Sequence, residues 1–106
     1  MLSIFKSIFS NDDTVLKEVL LHDHPRLIDV RTPSEFAGGT VQGAKNIPLN
    51  ELESKLGSLD RSKAIVVFCQ SGNRSSQAMR ILQRNGFEKV HNGGGWRTLK
   101  SLVECV

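Results

Sequence analysis

The sequence predicts an α/β domain built on an open, mainly parallel sheet of four to five strands, with helices on both faces. Three observations predict it. The run AIVVF, Ala64 to Phe68, is apolar at every position. It lacks the alternation of a strand with one wet face, so both of its faces are covered, as in a parallel sheet between helix layers. Short strand-like runs alternate along the chain with segments of helical period, the order expected of successive βα units. Finally, 106 residues, 39% apolar and 24% charged, suit one compact domain with its own core. No repeat, low-complexity stretch or long linker divides it.

Each element follows from local signals. Asn11 and Asp12 are cap residues ahead of VLKEVLL, whose apolar positions recur at helical spacing. Pro25 ends that helix, and Leu27 to Val30 reads as a short strand. In TPSE, Thr32 is a helix cap, Pro33 suits the first helical position and Glu35 completes a capping box. That helix stops by Gly38-Gly39. Ala44 to Ile47 is a further strand closed by Pro48, and Asn50 with Glu53 offers a second capping pair for a helix ending at Gly57. After AIVVF, Ser75 to Asn85 reads as a helix with Ala78, Ile81 and Leu82 inward, capped by Gly86, with Phe87 as the accompanying apolar contact. Lys89 to His91 is the last strand. Gly93 to Gly95 turn the chain into a final helix from Trp96.

Composition narrows the function classes. No apolar run approaches the ~20 residues that cross a bilayer. A formal charge of +3 from scattered basic residues argues against a nucleic-acid partner and for a small anionic one. Cys69 and Cys105, the two cysteines, form neither a disulfide framework nor the paired spacing of a zinc site, so a reducing, cytoplasmic setting is expected and no metal site. His22, His24 and His91 have no nucleophile or third ligand in view, and no catalytic histidine is expected.

The start, MLSIFKSIFS, resembles a targeting peptide only superficially. Lys6 interrupts it and no small-residue cleavage site follows. On a helix of about 100° per residue, Met1, Leu2, Ile4, Phe5, Ile8 and Phe9 share one side. Residues 1–10 therefore form an amphipathic segment ahead of a domain spanning 11–106. The segment suits packing onto the domain's own core, with contact to a membrane surface or a partner as the alternative.

The chemistry is written in VVFCQSGNRSSQA, Val66 to Ala78. Cys69 follows the most apolar strand and so lies at the carboxyl edge of the sheet, where open parallel sheets bind ligands. Asp29 to Arg31 and Gly93 to Trp96 follow two other strands and face the same crevice if the strands are parallel. Gly72 permits a tight turn, Ser71 and Asn73 leave amides free to point inward, and a helix start adds partial positive charge. Arg74 adds a full charge. A thiol in that setting loses its proton below the ordinary ~8.5 and serves as a nucleophile beside an anion cradle. Cys105 has no such surroundings. Asp29 and Arg31 either line the crevice or are structural, Arg31 pairing locally with Glu35, and Trp96 reads as core.

With these residues in view, the chain resembles a single-domain rhodanese of the thiosulfate sulfurtransferase family. The resemblance rests on CQSGNRS with DVRTPSEF (Asp29 to Phe36), GGTVQGAKNIP (Gly38 to Pro48) and GGGW (Gly93 to Trp96), in the family's order over roughly residues 12 to 104. Thr40-Val41-Gln42 departs from the His-Ile seen in many members. The resemblance implies that Cys69 is the catalytic residue and holds sulfur as a persulfide. It implies that Gln70, Ser71, Gly72, Asn73, Arg74 and the Ser75 amide bind substrate. It further implies a small sulfur anion such as thiosulfate as donor, cyanide or a thiol as acceptor, and no need of a metal or organic cofactor.

Other readings remain. A protein-to-protein sulfur-relay or interaction module would use the same loop, with residues 1–10 as its docking element and a protein as sulfur acceptor. A cysteine phosphatase or arsenate reductase places five residues between cysteine and arginine, whereas here four intervene, Gln70 to Asn73. A thioredoxin-like dithiol requires a second cysteine where Gly72 stands.

Overall fold

The computed structural model describes residues 13–106. The amphipathic segment 1–10 and the caps Asn11 and Asp12 lie outside the described residues. A first helix, α1 (residues 13–22), precedes β1 (Arg26–Asp29), α2 (Pro33–Ala37) and β2 (Lys45–Asn46). Two 3₁₀ segments follow, Leu49–Glu51 and Glu53–Ser58, then β3 (Ile65–Cys69), α3 (Asn73–Arg84), β4 (Val90–Gly95) and α4 (Trp96–Cys105). The strands form one four-stranded sheet in the order β2-β1-β3-β4, with every pairing parallel.

β3 shows why its sequence is apolar throughout: each of its residues is buried. Ile65, Val67 and Cys69 point into a core with Ile28, Ile47, Leu52, Ala78, Leu82 and Phe87, on the side of α3 and the 3₁₀ segments. Val66 and Phe68 point the other way, against Leu16 and Val19 of α1 and Leu99 of α4. A side-chain period of two sends successive residues to opposite faces, and here both faces are covered. Complete burial of an aliphatic side chain contributes ~1.5–3 kcal/mol, so this strand is the fold's main anchor.

The caps flanking the site form as the sequence predicts. The Thr32 side chain accepts from the Glu35 amide while the Glu35 carboxylate accepts from the Thr32 amide, and Pro33 takes the first turn of α2. At the end of α3, Gly86 adopts φ 88°. The Phe87 amide donates to the Leu82 carbonyl at 3.1 Å and the Gly86 amide to Gln83 at 3.2 Å, the paired bonds of a Schellman ending. Phe87 is buried in the same core as Leu82.

Three local expectations are corrected. Asn50 and Glu53 cap no helix, because the segment is 3₁₀ with no side-chain cap. Leu49, Leu52, Leu56 and Leu59 all pack on the core, and the coil between them is the tighter 3₁₀ form. Ser54 and Ser58 reinforce it by donating to the carbonyls three residues earlier, at 2.8 and 2.7 Å. Cys69 is the last residue of β3 rather than the first beyond it. Gly93 to Gly95 are not a turn but the end of β4, where the register with β3 shifts between Val67 and Phe68. Gly93 fits there because a Cβ would stand 2.8 Å from Val66 Cγ1.

Candidate active site

The site begins where β3 ends. Gly72 turns the chain at φ 103° and is itself the residue preceding α3, with no side chain to cap the helix. The first-turn amides of a helix need acceptors, and the sulfur of Cys69 supplies one. The Gly72 amide donates to Cys69 Sγ at 2.9 Å and the Ser75 amide at 3.4 Å. The Ser75 hydroxyl lies 3.4 Å from the same sulfur. The residue is 1% exposed, so the thiol sits at the bottom of the turn with its donors already in place.

Two opposing influences set its acidity. Burial, the largest, pushes the thiol up; the Ser75 side chain and the amides of Ser75, Ser71 and Gly72 together outweigh it and bring Cys69 below its ordinary value. Hydrogen bonding to the anion is therefore what lowers it most.

Asn92 of β4 ties this turn to the next strand. Its Oδ1 accepts from the Ser75 hydroxyl at 2.7 Å and from the Gly94 amide at 2.9 Å. Its Nδ2 faces the Gly72 carbonyl at 3.4 Å and Ser76 Oγ at 3.3 Å. Sequence reasoning missed Asn92, whose only signal is a polar residue just ahead of three glycines. Gly95 packs tightly on the loop, and a Cβ there would lie 2.8 Å from the Gln70 carbonyl oxygen.

Arg74 has a partner that the sequence did not reveal. Its guanidinium donates to Glu35 at 2.7 and 3.1 Å. That bond is the main reason the Glu35 carboxyl falls to about 2, aided by the Thr32 amide. Arg74 is raised in return, chiefly by the same hydrogen bond. The expected Arg31–Glu35 pair does not form. Arg31 instead grips Asp29 through Nε and Nη2, at 3.0 to 3.1 and 2.7 Å, and donates to the Gly39 carbonyl. Thr40 donates to the same carboxylate at 2.8 Å. Both Asp29 and Arg31 are buried and brace the loops, and Arg31 also lines the groove beside Arg74. Trp96 is half-buried and lies between the guanidiniums of Arg31 and Arg97, at 4.9 and 4.6 Å.

Of the residues singled out in the loop, Cys69, Gly72 and Ser75 converge on the sulfur. Gln70, Ser71 and Asn73 are exposed around it. Ser71, Gly72 and Asn73 edge a polar groove of about 430 Å³ that runs to Asn92 and Thr98. Arg74 edges a mainly apolar one of about 280 Å³ formed with Val30, Pro48 and Leu49. Cys105 is free and exposed, at the far end of α4. His22 lies beside Glu18 at 3.3 Å on the surface of α1.

Comparison with known proteins agrees with this architecture. Residues 12–101 match the rhodanese-like domain. The chain is 40% identical over 73 residues to YqhL of Bacillus subtilis, a stretch covering 68% of this chain but 58% of that protein. It is 38% identical over 74 residues to the thiosulfate sulfurtransferase PspE of Escherichia coli, covering 68% of this chain and 71% of that one. Among solved structures, the human single-domain sulfurtransferase TSTD1 superposes with a TM-score of 0.68 at 33% identity, over 80% of this chain and 88% of that one. A family match over most of the chain, on a parallel sheet with the thiol turn at its carboxyl edge, means that this chain belongs to the rhodanese-like domain family.

Proposed function

We propose that the domain is a sulfurtransferase that takes a sulfane sulfur from thiosulfate, or a donor like it, onto Cys69 and passes it to a thiol or cyanide. The observation that carries this reading is the sulfur of Cys69 held by the Gly72 and Ser75 amides and depressed in pKa by hydrogen bonding. The Cys69 thiolate attacks the outer sulfur of thiosulfate. A new S–S bond forms at Sγ, the donor's S–S bond breaks, and sulfite leaves with the electron pair. The acceptor then attacks the outer sulfur of the persulfide and Cys69 leaves as the thiolate, restoring the starting state. The inward amides stabilise the sulfur anion at each stage without reorganising. Arg74 keeps further N–H donors beyond the two on Glu35 and turns them to the oxyanion end of the donor. The relation to PspE, named a thiosulfate sulfurtransferase, supports thiosulfate as the donor class.

The test is the intact mass of the reduced protein after incubation with thiosulfate, beside a Cys69→Ser control. The expected result is a gain of one sulfur atom, absent from the control and removed by cyanide. A gain only from a persulfidated protein donor would replace the small-molecule enzyme with a sulfur relay. No gain from either source would overturn sulfur transfer altogether.

A further inference from the structure

The sulfur of Cys69 shares the Ser75 hydroxyl with Asn92. A serine hydroxyl carries one proton and two lone pairs. The Gly94 amide donates to Asn92 Oδ1 at 2.9 Å, and Nδ2 faces the Gly72 carbonyl, so the amide's orientation is fixed by the backbone on both sides. Oδ1 has no proton to give. The 2.7 Å contact between Ser75 Oγ and Oδ1 therefore requires the hydroxyl proton to lie on that line. Ser75 is fully buried. What Ser75 Oγ then turns toward Sγ, at 3.4 Å, is a lone pair. That rotamer accepts from a neutral S–H, and the hydroxyl helps the thiolate only when it turns its proton from Asn92 to the sulfur.

We infer that Asn92 is a positioning residue for the Cys69 chemistry, holding the Ser75 hydroxyl as an acceptor so that the free thiolate gains that hydroxyl as a donor only when its proton swings from Asn92 to the sulfur. This rests on the proposed role of Cys69 and deepens it. The free thiolate places its charge on Sγ and must draw the hydroxyl away from Asn92. A persulfide places its charge on the outer sulfur, and Ser75 stays on Asn92. The pair thus disfavours the unloaded thiolate relative to the loaded form, while the Gly72 and Ser75 amides serve both. The contribution of the hydroxyl to the acidity of Cys69 is the one that Asn92 contests.

The experiment is the pH midpoint of Cys69 alkylation by iodoacetamide, read by mass in a Cys105→Ser background, which does not depend on any sulfur transfer. Melting curves establish that each variant is folded. Asn92→Ala is expected to lower the midpoint by about half to one unit, because the freed hydroxyl donates to the thiolate. Ser75→Ala alone is expected to leave it within about 0.3 unit, yet to raise it by about half to one unit when added to Asn92→Ala. Equal effects of Ser75→Ala with and without Asn92 would overturn the inference. So would a rise of about a unit on Ser75→Ala alone, which also decides the matter if Asn92→Ala does not fold. Failure of sulfur loading with these midpoints intact would sink the proposed function and leave this inference standing.

Discussion

The carboxylate of Glu35 and the guanidinium of Arg74 meet at 2.7 and 3.1 Å across a separation of 39 residues, joining the first turn of α2 to the first turn of α3. The cation beside the thiol turn is therefore already neutralised. Attraction of a dianionic donor should be weak, and kcat/KM on thiosulfate should change less than about threefold between low and physiological salt. Glu35→Gln unmasks the charge. That variant should show a steeper salt dependence, with a lower KM at low salt, in initial-rate assays at several ionic strengths. An equally flat profile in the variant would mean that Arg74 plays no part in drawing in the donor.

The same pair predicts behaviour in acid. Glu35 has a folded-state value of about 2 against an ordinary 4.5, so its ionised form is favoured by folding. Its contribution to stability is fully present above pH 4.5 and fades as pH falls toward about 2. Both side chains are one-third exposed, which keeps the effect modest. Melting temperature followed through that window should fall less steeply for Glu35→Gln than for the native chain.

Gly95 is a packing requirement of the active turn. A Cβ there would stand 2.8 Å from the Gln70 carbonyl oxygen, and backbone atoms cannot rotate away. Gly95→Ala should cost about 1–3 kcal/mol in urea denaturation. It should also slow sulfur loading by about tenfold or more by displacing the amides around Cys69. Gly57→Ala, where a Cβ meets nothing within 4 Å, is the matched control and should change stability by less than about 0.5 kcal/mol.

The buried brace under the loops should be costly to break from one side. The Asp29 carboxylate accepts from the Arg31 amide, from Arg31 Nε and Nη2 and from Thr40. Asp29→Ala leaves a buried guanidinium without its anion and should destabilise the domain by about 3–5 kcal/mol. Removing both charges together should cost less than the sum of the single changes, as a denaturation cycle would show.

Much of this was legible in the residues. AIVVF declared a strand buried on both faces, and TPSE declared a capped helix start. The glycine turn between Cys69 and a helix declared a thiol facing amides. These signals are local: each depends on a period, a cap or a φ angle that a few neighbouring residues decide. The 3₁₀ segment after Pro48 was not legible because Asn50 and Glu53 satisfy the capping rule and Leu49, Leu52, Leu56 and Leu59, spaced three, four and three apart, fit an α-helical period.

By itself, the sequence determined the fold class, the order of its elements and the identity of the thiol with its turn, because backbone propensity and hydrophobic period act over short distances. Only the tertiary structure decided the partners of the polar groups. Arg74 went to Glu35 rather than Arg31 doing so, Arg31 to Asp29, and the Ser75 hydroxyl to Asn92. A charge or hydroxyl binds whichever complementary group the chain brings within about 3 Å. Which group arrives there is set by how three strand ends align along one edge of the sheet.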